Sequence, residues 1–195
     1  MQIPERFDKE FIDWFRQETE KAWENYNPRD FIKEGISGFD WQRGTKWQSG
    51  YSDDEMNQFE NHHDISFPEE FKTFLSLLGC TDRPAQGALF FDEGLKEKEC
   101  YLFHDWHRAD DIKQAMAWPL EGILFDFEFN FLWLDEWGER PATMEKAKEK
   151  IGKWLDKAPK LIPIFGHRYV LTYPLEGVYP IISVYQTDIV IYGWG

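Results

Sequence analysis

The chain has 195 residues, of which 42% are hydrophobic and 30% charged, as is typical of a globular protein with one well-buried core. Its 22 basic and 36 acidic residues give a formal charge of −14, which disfavours direct binding to DNA or RNA because phosphate neutralisation requires clustered Lys and Arg. The N-terminus carries charge throughout and has no continuous apolar segment. We therefore expect neither a signal peptide nor a membrane-spanning helix, and we expect a cytoplasmic location.

The acidity and the aromatic content each allow two interpretations. A negative field attracts a basic protein and accelerates its encounter, although many cytosolic proteins are acidic for solubility alone. Aromatic residues make up 18% of the chain, with 10 Trp and 17 Phe, so they either fill the core tightly or provide exposed anchors for a partner.

The first 52 residues are predicted to form an N-terminal helical extension. Apolar residues recur at helical spacing over residues 4–26, and a short second helix is expected at Arg29–Lys33. The segment Gly38–Gly50 has no clear period and contains Trp41 and Trp47. These two indoles are either partner anchors or a cover for the edge of the core.

Two amphipathic helices are predicted next. Ser52 and Glu55 form a capping box, which predicts a helix over Asp53–Asn61. The adjacent histidines His62–His63 project about 100° apart on a helix, so they do not chelate one ion together. Apolar residues at i, i+3, i+4 and i+7 predict a second helix over Pro68–Leu78, which Gly79 is expected to end.

The following segment predicts a hairpin of Ala88–Phe91 with Glu99–Phe103. It leads into a possible metal motif, since the two imidazoles of His104 and His107 and the carboxylate of Asp105 lie within four residues. A structural or hydrolytic zinc needs three or four protein ligands in defined geometry, and no second cluster is near. We therefore expect no metal and no cofactor, with a metal-dependent hydrolase kept as an alternative.

Polar and aromatic residues alternate over Gly122–Trp133, which predicts a β-strand with one wet face. Asp126 and Glu128 share that face. Neighbouring carboxylates could act as the acid and base of a glycosidase, but the sequence shows no apolar pocket that would raise either pKa. We interpret both as outward carboxylates that serve solubility or contact a partner, with carboxylate-based hydrolysis as an alternative.

The last third of the chain predicts one long helix and a ladder of strands. Thr143 caps the helix, which is expected to run over Met144–Ala158. The apolar, β-branched runs that follow predict four strands: Leu161–Phe165, Tyr169–Leu171, Val178–Tyr185 and Ile189–Tyr192. His167 has no Ser or Cys placed for activation, so we interpret it as a structural, hydrogen-bonded histidine. Cys80 and Cys100 are expected to be free thiols.

Several segments resemble the SUKH superfamily, the Smi/Knr-like group that includes fungal regulators of cell-wall synthesis and many bacterial immunity proteins. The resemblance lies in segments near both ends of the matching region: Glu55–Gly79, Ala158–Tyr169, Pro180–Ile189 and Tyr192–Gly193. Between them, Trp118–Gly122, Phe131–Trp133 and Trp137–Pro141 resemble a bacterial subgroup. About the first fifty residues lie outside the match.

The family-signature positions in this chain are Trp133, Gly138, Pro163, Gly166, His167, Arg168, Asp188 and Gly193. The fold that we expect is α+β: a mixed, largely antiparallel sheet covered by helices on one face, with an N-terminal helical extension. The covering helices would be Asp53–Asn61, Pro68–Leu78 and Met144–Ala158. The domain organisation is then an extension over residues 1–52 and a SUKH-like domain over residues 53–195.

The resemblance implies a binding protein rather than an enzyme, specifically a bacterial immunity protein of a toxin and antitoxin pair that occludes one cognate toxin. The acidity suits a basic toxin such as a nuclease. The partner-binding candidates are Asp126, Glu128, Trp41 and Trp47. A regulatory interaction module without a toxin is the alternative within the family, and the oligomeric state stays open.

Overall fold

The computed structural model describes residue 4 and residues 6–194. The expectations about residues 1–3 and 5, which belong to the predicted extension, lie outside the described residues. Six α-helices, one short 3₁₀ helix and nine strands are found in the described part, and every strand pair is antiparallel. The predicted α+β class is confirmed.

The helices are α1 (Lys9–Glu24), α2 (Phe31–Glu34), α3 (Asp53–His63), α4 (Glu69–Leu77), α5 (Ala109–Phe129) and α6 (Met144–Leu155), and the 3₁₀ helix is Asp135–Trp137. The strands are β1 (Gly38–Asp40), β2 (Trp47–Ser49), β3 (Leu78–Thr81), β4 (Ala85–Phe91), β5 (Gly94–Cys100), β6 (Leu161–Phe165), β7 (Arg168–Leu171), β8 (Pro180–Tyr185) and β9 (Asp188–Trp194). They form three sheets with the orders β1-β4-β5, β2-β3 and β6-β7-β8-β9.

The chain divides into two compact units. The first unit comprises Met1–Phe59 and Glu69–His107, and the second comprises Glu60–Pro68 and Arg108–Gly195. Helices α1, α2 and α4 and strands β1 to β5 belong to the first unit, whereas α5, α6 and strands β6 to β9 belong to the second. Both cysteines are free thiols, as predicted.

The core of the first unit joins α1 to strands on both sides of residue 52. Ile12 and Trp23 of α1 pack in one buried cluster with Trp47 and Leu78. Strand β2 pairs with β3, so residues before the predicted boundary at residue 52 share a sheet with residues after it. Helix α1 begins at Lys9 because the Asp8 carboxylate accepts the first backbone N–H groups of the helix.

The predicted helix over Pro68–Leu78 ends one residue earlier than expected. Helix α4 stops at Leu77, and the chain continues directly into the fully buried strand β3. A Cβ added at Gly79 would lie 2.6 Å from the backbone oxygen of Ser49. Gly79 therefore permits the close approach of β2 and β3, and the interpretation of this glycine as a helix stop is wrong.

The second unit contains the predicted ladder of four strands. Strands β6 to β9 pair in chain order, so the strand predictions after residue 160 are confirmed. Helix α6 begins after Thr143, whose hydroxyl accepts from the Lys146 N–H, as the capping pattern predicts. Tyr169 of β7 donates its hydroxyl to the Ala115 carbonyl of α5 over 2.9 Å.

The strand predicted over Gly122–Trp133 is wrong, because helix α5 continues to Phe129. The apolar residues that the helix buries fully or in part recur at i, i+3, i+4 and i+7 and belong to the cluster formed with α6: Leu120, Ile123, Leu124 and Phe127. The same segment therefore contains both this helical period and the alternation of polar and aromatic residues that predicted a strand. Pro119 lies in the middle of α5, where it removes one backbone donor without ending the helix.

Candidate functional site

Asp126, a predicted partner-binding residue, is a buried hydrogen-bond acceptor within the second unit. Its carboxylate is part of a residue only 4% exposed. One oxygen accepts from the backbone N–H and the hydroxyl of Thr187, over 3.0 and 2.6 Å. The other accepts from the side-chain amide of Asn130 over 2.6 Å. The Thr187 hydroxyl, with Asn130 and the Thr187 N–H, lowers the pKa of Asp126 in spite of its burial.

Glu128 is exposed on a different side of the same helix. Residues two apart on an α-helix project about 200° apart, so Asp126 and Glu128 do not share a face. The predicted common wet face is wrong because it depended on strand geometry. Asp126 fastens α5 to the β8–β9 turn, and of the two carboxylates only Glu128 stays accessible to a partner.

The β8–β9 turn lies directly against α5. Gln186 in the turn has φ +55°, a backbone conformation that residues other than glycine rarely adopt. A Cβ added at Gly122 of α5 would lie 2.8 Å from the Gln186 Cα, so only glycine fits beneath the turn. An open cavity of about 370 Å³ lies beside this contact, lined by Asp126, Asn130, Leu132, Tyr185, Gln186, Thr187 and Asp188.

The end of α5 holds an aromatic side chain in solvent. Phe131 has φ +56° and is 83% exposed. It occupies the left-handed position after a helix that glycine usually takes. The Arg140 guanidinium donates to the Phe131 carbonyl over 2.8 Å and to the Phe127 carbonyl over 2.7 Å. The same group lies over the Phe127 ring, 4.3 Å from its centroid. Arg140 therefore fixes the backbone that presents Phe131.

Two further exposed aromatic residues lie in the last two turns of α5, just before Phe131 in the chain. The ring centroids of Phe125 and Phe129 are 4.7 Å apart, and both residues are exposed. Phe125, Phe129 and Phe131 are called the aromatic surface below. Sequence reasoning placed Phe125, Phe129 and Phe131 on the buried face of a strand. The helical stripe of apolar residues from Leu120 to Phe127 is the signal that would have placed these three phenylalanines outside the core.

The residues predicted as signature positions of the SUKH superfamily all lie in the second unit. Trp133 donates its indole N–H to the Gly138 carbonyl over 2.6 Å, and Gly138 has φ +78°. Gly166, also at positive φ, turns the chain between β6 and β7, where Pro163 is fully buried in β6. These positions therefore define loop and strand geometry.

The remaining signature residues line the turns and strands of the four-stranded sheet. The His167 carbonyl accepts from the Val184 N–H over 2.9 Å. Burial lowers the pKa of His167, and the adjacent Arg168 lowers it further. The Arg168 guanidinium lies over the rings of Phe165 and Tyr192. Asp188 pairs with Tyr185 across the β8–β9 turn, and Gly193 pairs with Ile181.

The two indoles proposed as partner anchors belong to the core of the first unit. Trp47 is buried and donates its indole N–H to the Thr19 hydroxyl over 2.8 Å. Trp41 packs against the same core, with its ring 4.7 Å from that of Trp23. Of the two predicted interpretations, the cover of the core is the one found, and the interpretation of these residues as exposed anchors is wrong.

The possible metal motif forms ordinary polar contacts. One ring nitrogen of His107 is 3.0 Å from Glu55, and the other is 3.5 Å from Asp105. The Ser52 hydroxyl, the Ser52 backbone N–H and then His107 lower the pKa of Glu55 to about 2. Among residues 6–194, no group of three or more His, Cys, Asp or Glu side chains is arranged to hold a metal ion.

No family model, curated protein or solved structure matches the chain. The resemblance to the SUKH superfamily is therefore still a prediction based on the residues quoted above. In the described part of the chain, none of the helices combines the length and the apolar character needed to cross a membrane.

Proposed function

We propose that this chain is a binding protein that neutralises a cognate bacterial toxin by occlusion in the cytoplasm, as an immunity protein does. The observation that carries the proposal is the aromatic surface at the end of α5. Large aromatic side chains contribute most of the binding energy in many protein interfaces, and Phe131 is held in solvent at a backbone angle that favours glycine.

The pre-organisation of this surface supports a role in recognition. Phe131 is a bulky residue at positive φ, a conformation that costs about 1–2 kcal/mol relative to ordinary backbone. Arg140 contacts three carbonyls around it, those of Phe127, Phe131 and Leu132. A surface fixed before the encounter loses less entropy when a partner binds. Such strain is common at functional sites, where the surrounding structure maintains it.

The charge of the molecule supports a basic partner. The chain has 36 acidic and 22 basic residues, and the exposed carboxylate of Glu128 lies within the segment that carries the aromatic surface. A negative protein accelerates the encounter with a basic one, and a rim carboxylate adds to the association rate. A basic nuclease toxin has the chemistry that this surface fits.

The contacts of Asp126 support binding rather than catalysis. One carboxylate oxygen accepts from Thr187 and the other from Asn130, so neither is placed to abstract a proton or attack a substrate. Its pKa is lowered, whereas the acid of a glycosidase pair needs a raised pKa. The carboxylate-pair hydrolase therefore has no support from this geometry.

The test is a toxicity assay with the toxin domain encoded by the adjacent reading frame. Cells that express this domain should survive when they also express the wild-type chain. Phe129→Ala and Phe131→Ala should each weaken binding of the purified toxin domain by about tenfold or more, which corresponds to about 1.4 kcal/mol. Phe90→Ala, which removes an equally exposed ring of the first unit, is the matched control and should bind as the wild type does.

If Phe129→Ala, Phe131→Ala and Phe90→Ala weaken toxin binding equally, or if none of them weakens it, the aromatic surface has no specific role in binding. If the toxin domain does not bind and an endogenous protein binds through the same surface, the regulatory alternative replaces the immunity function.

A further inference from the structure

The outer edge of the four-stranded sheet is unprotected. Strand β9 is at the end of the order β6-β7-β8-β9 and pairs only with β8 among the described strands. Four consecutive residues, Ile189 to Tyr192, are between 51% and 66% exposed. A long apolar edge strand offers unpaired backbone groups to another chain, so proteins usually protect such an edge with charge, proline or a covering element.

Two other sheet edges of the described part, β5 and β6, carry that protection. Strand β5, the edge of its sheet, has alternating exposed charges at Lys96, Glu97, Lys98 and Glu99. Strand β6, at the opposite edge of the sheet that contains β9, includes Pro163 and packs against α5. Strand β9 has no proline and no charged residue after Asp188. Strand β9 is therefore an edge whose backbone is available for pairing with a strand of another chain.

The strand pairing shows which backbone groups face outward. The Val184 N–H donates to His167 on the β7 side, and Val184 lies opposite Ile189 in β9. In an antiparallel ladder, hydrogen-bonded and non-bonded pairs alternate, so Val184 and Ile189 form a non-bonded pair. The N–H and carbonyl of Ile189 therefore point away from β8, and those of Ile191 do the same two residues later.

We propose that β9 is a self-association surface, through which two copies of this chain pair antiparallel about a two-fold axis at Val190. Ile189 of each copy lies opposite Ile191 of the other, so the outward N–H and carbonyl groups exchange hydrogen bonds. The two sheets become one continuous sheet. This inference is independent of the proposed function, because a dimer forms whether or not a toxin binds.

The uncharged edge permits a second copy as the occupant and disfavours a basic partner. Two chains that each carry −14 repel each other where their carboxylates meet, but the segment from Ile189 to Tyr192 places uncharged residues against uncharged residues. A basic partner would find no carboxylate on this segment to pair with. An antiparallel two-fold interface also matches any strand to itself, since both copies contribute the same residues.

The length of the edge sets the expected affinity. The pairing with β8 shifts register between Ile191 and Gly193, so the regular edge ends at a bulge at Tyr192. The regular stretch is short, so the area that it buries is much smaller than the area of a standard interface, which is about 800 Å² per partner. We therefore expect a dissociation constant on the order of micromolar rather than nanomolar.

Sedimentation of the full chain from about 1 to about 200 μM tests the proposal. The wild type should convert from monomer to dimer across this range. Ile191→Lys should weaken dimerisation by about tenfold or more, because it places two like charges in the interface. Ile32→Lys is the matched control, since it adds the same charge at an exposed isoleucine of α2, and it should dimerise as the wild type does. A wild type that stays monomeric throughout, or equal effects of the two variants, would overturn the proposal.

Amide hydrogen exchange on the wild type adds a test that does not depend on a variant folding. Exchange at Ile189 and Ile191 should slow as the protein concentration rises, whereas Val190, whose N–H faces β8, should be protected at every concentration. A dimer in which the exchange of Ile189 and Ile191 does not change with concentration uses another surface, and that result would also overturn the proposal.

Discussion

Thr187 donates both its backbone N–H and its hydroxyl to one carboxylate oxygen of Asp126, over 3.0 and 2.6 Å. These bonds join the turn between β8 and β9 to helix α5. The same helix ends in the aromatic surface, so the two bonds stabilise the element that presents it. The relationship also explains why a residue as constrained as Gln186 is tolerated in the turn, since the neighbouring N–H is held by a charged acceptor.

Removal of this acceptor should destabilise the second unit. Asp126→Ala leaves the Thr187 N–H and hydroxyl without their partner, and we expect a loss of about 1–3 kcal/mol in the free energy of unfolding. Glu128→Ala is the matched control on the same helix and should change it by less than about 0.5 kcal/mol. Urea unfolding of both variants measures the difference. Equal effects would show that the contacts of Asp126 do not stabilise the fold.

The stability conferred by Asp126 should depend on pH. Its pKa is lowered in the folded state, chiefly by the Thr187 hydroxyl, relative to the unfolded value of 3.8. The contribution is therefore complete above about pH 5 and decreases as the pH falls through 3.8 and below. The difference in unfolding free energy between the wild type and Asp126→Ala should shrink over that window. A difference that stays constant or grows as the pH falls would contradict this prediction.

The capping box at the start of α3 should control the ionisation of Glu55. The Ser52 hydroxyl is the largest cause that lowers its pKa to about 2, and His107 contributes less. Ser52→Ala should therefore raise the pKa of Glu55 more than His107→Ala does. An NMR titration of the Glu55 side chain measures both shifts. The reverse order would show that His107 rather than the cap dominates.

The positive φ of Phe131 should lower the free energy of unfolding, and binding should require this backbone conformation. Phe131→Gly relieves the positive φ, so we expect an unfolding free energy that is unchanged or raised by up to about 1 kcal/mol. Phe125→Gly, inside α5, should lower it by about 1 kcal/mol because glycine is unfavourable within a helix. Urea unfolding of the two variants separates these effects. A clear loss of stability in Phe131→Gly would mean that its ring stabilises the fold.

The two thiols should react slowly in the native protein. Burial raises the pKa of Cys80 to about 12 and that of Cys100 to about 11. Because the thiolate is the nucleophile, alkylation at pH 8 should be more than about 100-fold slower than in the unfolded chain. The rate with iodoacetamide, with and without urea, measures this. Equal rates would show that the thiols are accessible in the folded state.

The elements with local signals could be predicted from the sequence. The capping residues Ser52 and Thr143 place the starts of α3 and α6, because a cap acts within one turn of its own helix. The strands after residue 160 are bounded by Pro and Gly, and their pairing follows chain order. Helix α5 could not be predicted in full, because its Phe residues fit both a strand period and the outer face of a helix.

The site depends on contacts between distant residues and was therefore not visible in the sequence. Asp126 and Thr187 are 61 positions apart, and no pattern links them. The exposure of Phe131 depends on Arg140, which is nine positions away and acts through backbone carbonyls. Trp41 and Trp47 were open to two interpretations because a loop does not reveal whether its aromatic side chains face the core or the solvent.

The central claim is that this chain acts by binding a protein through the end of α5. Amide hydrogen exchange of the chain, alone and with the toxin domain of the adjacent reading frame, tests it directly. Exchange over residues 125–132 should be slower in the complex than in the unbound protein, with the β4–β5 hairpin unchanged. A complex that protects other segments and leaves residues 125–132 as they are in the unbound protein would contradict it.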